Sequence, residues 1–419
     1  MRGLTKAADL GARSAWLWRN RHVFAHLATN SRCRLLVDVS AIIQHDAGTG
    51  IQRVVRAVWS ELQRRSGPQL DVVPVFATAA HGYCEAPANF LGPSSQRLAL
   101  VPARMGPGDK FLGLDLSAHL LPKYLRQLRS WRANGASVHL VVYDLLPLAR
   151  PSWFTPSAVR HFRNWVDVLT SEADQALCIS NHVAGELRQL LGKSGHFSTI
   201  EVGRMQLGAD IAASIPSSGL REGVKDILER LRRRPAILMV GTVEPRKGYE
   251  AALAAFEQLW RTRPEDSPDL VLVGKAGWKT ADLQARLRSH PEFRRRLYWF
   301  DRMSDEGLCL LYEACRGLLM ASFGEGWGLP LVEAAMHGRY VLARDLPVFH
   351  EHELSNVFYF GDDTPEALGK KLLHLAQVGQ KPAPAPTLPT WSDCVDGLLS
   401  TIGVREFKQI SEPRLRKAS

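Results

Sequence analysis

Short apolar runs alternate along most of the chain with stretches whose apolar positions recur every three or four residues. Unbroken runs at residues 34–40, 72–77, 137–142 and 175–179 predict strands, and the spacing over 51–62 predicts a helix. From residue 236 the rhythm becomes regular. Strands are predicted at 236–240, 270–273, 297–300, 317–321 and 340–343, with helices at 248–260, 279–288, 304–315 and 329–337 between them. Short strands separated by helices of about ten residues mean parallel strands with crossover connections. Helices then cover both faces of each sheet, so the strands can be apolar throughout. The expected fold class is α/β with parallel sheets.

Punctuation divides the chain. Residues 33–215 form a first αβ unit and 235–385 a second. Residues 216–234, with the turn Pro216-Ser-Ser-Gly219 and the basic run Arg232-Arg-Arg234, read as the linker between them. Lys381-Pro-Ala-Pro-Ala-Pro386 is a stiff extended spacer. After it, Thr390 or Ser392 can cap a last helix within 386–405, expected to pack back on the first unit. Residues 406–419 are a basic tail. Residues 1–32 are a basic preface in which Trp16, Leu17, Phe24 and Leu27 supply an apolar face. It either packs on the body or lies in a membrane interface.

Composition narrows the function classes. A chain of 419 residues exceeds one ordinary core. Lys plus Arg number 53 and Asp plus Glu 42, a net charge of +11 that suits an anionic partner without choosing one. The basic residues are dispersed and no nucleic-acid module is recognisable, so a nucleic-acid partner is not expected. None of the six cysteines forms a CxxC pair or a zinc-spaced cluster, and Cys178 and Cys309 sit in apolar runs. That pattern fits a reduced, cytoplasmic setting. No run approaches the roughly 18 apolar residues of a membrane span, and no signal-peptide run is evident. Peripheral attachment to the inner face of the membrane is the most that is expected.

In open parallel sheets ligands sit where strands end and helices begin. Three such loops carry chemistry. Met239-Val-Gly-Thr-Val-Glu-Pro-Arg-Lys-Gly248 places Gly241, Arg246 and Lys247 ahead of a helix, where two cations and free helix N–H groups can hold a diphosphate. Ala321 to Glu333 (ASFGEGWGLPLVE) brings Gly324, Gly326 and Gly328 together with Glu325, Leu329, Pro330 and Glu333. Glycines let the backbone approach a ligand closely, and Glu333 can accept two vicinal hydroxyls. The third loop, Arg344 to Glu353, holds His350 and His352, two apart, but no third metal ligand, so no metal site is expected.

These loops resemble the family 4 retaining glycosyltransferases of the GT-B fold. The resemblance rests on Glu-x7-Glu at Glu325 and Glu333, VGTVEPRKG upstream and SDEGLCLLYEAC at 304–315. In the first half it rests on Asp38-Val-Ser40 with Thr49-Gly-Ile-Gln-Arg53, on Val142-Tyr-Asp-Leu-Leu-Pro147, on Ile179-Ser-Asn181 and on Leu207-Gly-Ala-Asp210. It implies two Rossmann-like domains facing a cleft, a nucleotide diphosphate sugar as co-substrate, no bound cofactor and no metal. It further implies that Arg246 and Lys247 stabilise the departing diphosphate, that Glu325 contacts the transferred sugar and that Glu333 binds the nucleotide ribose. Gly48, Thr49 and Gly50 would form the loop on the acceptor or phosphate side. Backbone amides from Phe349 to Glu351 would touch the diphosphate.

Many members carry a histidine where this chain has Tyr143, so no histidine role is transferred. Asp144 reads equally as a site residue or as a strand-end turn carboxylate. The wording TGIQRV, YDLLPL and EPRKG resembles bacterial surface-polysaccharide mannosyl- and rhamnosyltransferases. The expected reaction is therefore transfer of a mannose-type hexose from a GDP-sugar to a glycan or lipid-linked glycan. A catalytically inactive sugar-nucleotide-binding or scaffold protein on the same fold is the alternative.

Overall fold

Among the described residues, fourteen strands gather into two separate sheets. The computed structural model describes residues 32–92, 100–193, 200–211, 216–361 and 364–404. Residues 1–31 of the preface (1–32) and the whole tail (406–419) lie outside them, and both readings of the preface fall on residues outside the described ones.

The first sheet contains β1 (Cys33–Asp38), β2 (Leu70–Phe76), β3 (Cys84–Glu85), β4 (Val101–Pro102), β5 (Lys110–Gly113), β6 (Ser137–Val142), β7 (Gln175–Cys178) and β8 (Glu201–Arg204). Its order is β4-β3-β2-β1-β5-β6-β7-β8, parallel except for the β2–β3 and β3–β4 pairs. The second sheet contains β9 (Ala236–Val240), β10 (Asp269–Val273), β11 (Leu297–Phe300), β12 (Gly317–Met320), β13 (Tyr340–Arg344) and β14 (Val357–Phe360). It is parallel throughout, in the order β11-β10-β9-β12-β13-β14. Both orders reverse direction beside the first strand of the unit, β1 or β9. In such sheets the crevice for a ligand opens at that reversal.

Local chemistry fixes the helix starts that matter for the site. Thr49 and Gln52 form a reciprocal capping box at the head of helix Gly50–Arg64. Ser304 caps Asp305–Ala314, and Pro330 sits in the first turn of Leu329–Met336. The stretch 216–234, expected to be connection only, contains helix Val224–Arg233, which packs on Asp305–Ala314. Val224, Leu228 and Leu231 are its buried stripe, spaced four and three residues apart among charged neighbours.

Helix Trp391–Thr401 lies against helix Gly50–Arg64 of the first unit. Asp210 accepts the Trp391 N–H at 2.9 Å, and Arg65 Nε donates to Asp396 at 2.7 Å. One apolar cluster therefore runs from Val54, Val58 and Trp59 through Trp391 and Val395 to Leu331, Val332 and Phe349, joining the two units.

Candidate functional site

The second unit holds its two basic site residues at the end of β9. After Gly241 the chain passes buried Glu244, makes a tight turn over Pro245–Lys247 and enters helix Tyr249–Thr262 through Gly248. Gly248 has φ +69°, and a Cβ there would run into the Ala321 carbonyl at the end of β12. Glycine thus allows the first loop to lie directly on the second. The Phe323 N–H donates to the Arg246 carbonyl at 2.7 Å, which ties the two loops together.

The side chains complete the joint. Arg246 forms an ion pair through Nε with Glu244 at 2.9 Å, and donates through one terminal nitrogen to the Glu325 carboxylate and the Gly324 carbonyl, each at 2.9 Å. Lys247 Nζ donates to the other Glu325 oxygen at 2.5 Å. Burial by itself would raise the Glu325 carboxyl, but Lys247 and Arg246 outweigh it and hold it at about 2. Burial, reinforced by the Arg246 charge, pulls the Lys247 ammonium below its ordinary range. Burial pushes the neighbouring Glu244 and Asp144 carboxyls upward.

Two of the three glycines of the second loop, Gly324 and Gly326, face the first unit, and Gly328 faces its own unit. At Gly324 an added Cβ would lie 2.9 Å from Leu146 and 3.0 Å from Trp153. On Gly326 it would run into the Tyr143 carbonyl, and at Gly328 it would meet the Phe349 ring at 2.6 Å. The segment after β6 therefore presses on the Glu325 loop. Asp144 is part of that segment. Its carboxylate accepts the Leu146 N–H at 3.0 Å, a turn role, and it also feels the Arg246 charge. The Tyr143 hydroxyl donates to the Leu114 carbonyl at 2.7 Å and is buried, so it serves the first sheet rather than the cleft.

Glu333 is only 2 % exposed. One carboxylate oxygen pairs with Arg53, and the other accepts the Tyr312 hydroxyl at 2.8 Å. Arg53 also donates to Asp305 at 2.8 Å. Arg53 belongs to helix Gly50–Arg64, so this ion pair crosses between the units. Gly50 and Leu329 meet beside it: Leu329 Cδ1 is 3.4 Å from where a Gly50 Cβ would stand. Thr49 is occupied as the helix cap, accepting the Gln52 N–H at 3.3 Å. Gly48 has φ +61° and faces open space.

The third loop is tied to the first unit through a side chain. The Glu351 carboxylate accepts the Asn181 N–H at 2.8 Å and the His182 N–H at 2.5 Å. It thereby covers the positive end of helix Asn181–Lys193 in the first unit. His350 pairs with Asp345 at 2.6 Å, while His352 contacts the Trp327 carbonyl at 2.8 Å, so the two rings serve separate partners. Among the described residues no group of three or more His, Cys, Asp or Glu side chains is arranged to hold a metal ion. Arg53, Asp305 and Tyr312 are the candidate-site residues that sequence reasoning left out, and Glu351 was named there only for its backbone amide. Arg53 and Tyr312 lie inside motifs already quoted, but nothing local marks either as a partner of Glu333.

Residues 234–377 match the family described as Glycosyl transferases group 1. That stretch contains both basic site residues and both glutamates. Residues 234–377 are a glycosyl transferases group 1 domain. Over 345 residues, 80% of the chain, the sequence is 39% identical to the serotype-specific mannosyltransferase WbdA of Escherichia coli. The chain spans 40–42% of the length of the WbdA relatives it matches. A 101-residue stretch is 35% identical to the O-antigen chain mannosyltransferase B of Escherichia coli, covering 24% of this chain and 26% of that protein.

Among solved structures, sucrose-phosphate synthase from Thermosynechococcus elongatus superposes with a TM-score of 0.57 at 16% identity, covering 87% of this chain and 92% of that one. Anabaena HepE in complex with UDP gives 0.55 at 16% identity, covering 88% and 95%. Likeness at that identity speaks to the fold alone. With the group 1 domain as its second half, the fold is GT-B. Among the described residues no helix is long and apolar enough to cross a membrane.

Proposed function

We propose that the protein is a retaining hexosyltransferase. It moves a mannose-type sugar from a GDP-sugar to a glycan or lipid-linked glycan during surface-polysaccharide synthesis. The observation that carries this reading is the pair of buried cations, Arg246 and Lys247, converging on Glu325 where β9 and β12 end. The same two cations are suited to a diphosphate. As the bond from the sugar to the diphosphate breaks, negative charge accumulates on the leaving oxygen, and preorganised cations in a dry site stabilise it. Glu325 then faces the sugar that this diphosphate carries, and Glu333 accepts the ribose hydroxyls. Two cations in place supply the neutralisation for which other enzymes use a metal, so turnover is expected to survive chelation.

Identity to WbdA, named a mannosyltransferase, supports the choice of sugar. The basic preface and the net charge of +11 suit an anionic membrane surface that presents a lipid-linked acceptor.

The test is to incubate the protein with labelled GDP-mannose, and with UDP-, ADP- and dTDP-sugars, in the presence of chelator and a membrane fraction as acceptor source. Release of GDP with label in polymer, and a product anomer matching the donor by NMR, is the expected result. An inverted anomer would end the retaining assignment. Binding of a sugar nucleotide with neither hydrolysis nor transfer would replace the enzyme reading with that of a binding protein.

A further inference from the structure

The cross-cleft pair of Arg53 with Glu333 occupies the carboxylate assigned to the ribose. Tyr312 holds one oxygen at 2.8 Å and Arg53 the other, leaving a buried acceptor whose two oxygens both already have donors. Arg53 has a second anchor: it donates to Asp305 at 2.8 Å, whose other oxygen accepts the Ser217 N–H and hydroxyl, each at 2.8 Å. Its side chain is 20% exposed, so a ligand can reach it. The residue before it, Gln52, fastens the Gly48 loop by donating to the His45 carbonyl at 2.7 Å and accepting the Ala47 N–H at 2.7 Å. A movement of Arg53 is therefore a movement of the helix head that shapes the acceptor-side loop.

Resting on the donor reading above, we propose that Arg53 is a positioning residue that reads ribose occupancy. Without nucleotide it holds Glu333. When the 2′ and 3′ hydroxyls of a nucleoside diphosphate take that carboxylate, Arg53 transfers wholly to Asp305, and the first-unit loop takes its catalytic position. The ion pair and the ribose compete for the same oxygen. The Glu333 charge is the main reason that the Arg53 guanidinium holds its proton more strongly than usual.

The experiment measures binding of GDP and of 2′,3′-dideoxy-GDP by calorimetry to wild type, Arg53→Met and Asp305→Asn, with turnover alongside. Arg53→Met removes the competitor. GDP should then bind about tenfold tighter, the scale of one charge-assisted hydrogen bond, with dideoxy-GDP unchanged and kcat reduced. Asp305→Asn removes the second anchor and should weaken GDP binding. A purely structural Arg53 would not give opposite signs or a dependence on the ribose hydroxyls. Equal or weaker GDP binding by folded Arg53→Met would overturn the proposal, as would an equal gain for the dideoxy ligand. If Arg53→Met does not fold, tighter or unchanged GDP binding by Asp305→Asn overturns it. If the wild type binds no nucleoside diphosphate among GDP, UDP and ADP, the donor reading falls first and this one with it.

Discussion

Replacing Glu325 with Gln tests the centre of the site. Glu325 has an ordinary carboxyl value of 4.5 and is held at about 2, because Lys247 and Arg246 outweigh the burial that would raise it. The difference between those values corresponds to roughly 3 kcal/mol favouring the folded state. The folded value lies below the unfolded one, so this stabilisation is fully present above about pH 4.5 and is lost as pH falls toward 2. Glu325→Gln should therefore be less stable than wild type by about 3 kcal/mol at pH 7, with the gap closing on acidification. Urea unfolding of both proteins from pH 7 down to pH 3 measures it. The variant also leaves two buried cations short of a counter-charge, so inorganic pyrophosphate should raise its melting temperature more than that of wild type. A stability gap constant from pH 7 to pH 3 would refute the ion-pair account, and equal pyrophosphate shifts would refute the idea that Glu325 and a diphosphate exchange places.

Three further outcomes follow from the geometry. Alanine at both Arg246 and Lys247 should lower kcat more than it raises KM in steady-state assays, because the leaving-group charge develops only in the transition state. Gly326→Ala drives a Cβ into the Tyr143 carbonyl between the units, so turnover should fall at least tenfold while circular dichroism stays near wild type. Burial, aided by the Asp38 charge, raises the Asp115 carboxyl to about 7 from 3.8. A raised acid costs stability as pH climbs from its unfolded to its folded value. Asp115→Asn should thus gain on wild type between about pH 4 and 7, by at most roughly 4 kcal/mol, and level off above, as read from urea midpoints across that range.

The strand rhythm was legible because each crossover unit repeats the same contrast of an unbroken apolar run with a spaced one. Residues 236–240 and 297–300 match β9 and β11 at both ends. The element left out at the centre of the first sheet is β5, whose four residues include a lysine and a glycine and offer too little apolar length to stand out. Helix Val224–Arg233 was lost among its own charges, since only three of its ten positions are buried. In the site, the basic pair and the glycines were readable because each depends on its own loop. Arg53 was not, because its partners Asp305 and Glu333 lie 252 and 280 residues away. No spacing rule reaches across a cleft.

That difference reflects how a buried polar site is stabilised. Arg246, Lys247 and Glu333 can be kept out of water only if each has a charge or hydrogen-bond partner at hand. A site for a diphosphate and a ribose therefore needs internal stand-ins whenever it is empty: an anion where the phosphates go, and a donor where the hydroxyls go. On the proposed reading, Glu325, paired with Arg246 and Lys247, and Arg53, paired with Glu333, supply those two chemistries. The first stand-in comes from the same unit, so its exchange with a ligand can stay local. The second comes from the opposite unit, so under the proposal its exchange would move the helix that carries the Gly48 loop. Binding energy from the ribose, remote from the bond that breaks, can thereby be used to arrange the acceptor side before transfer.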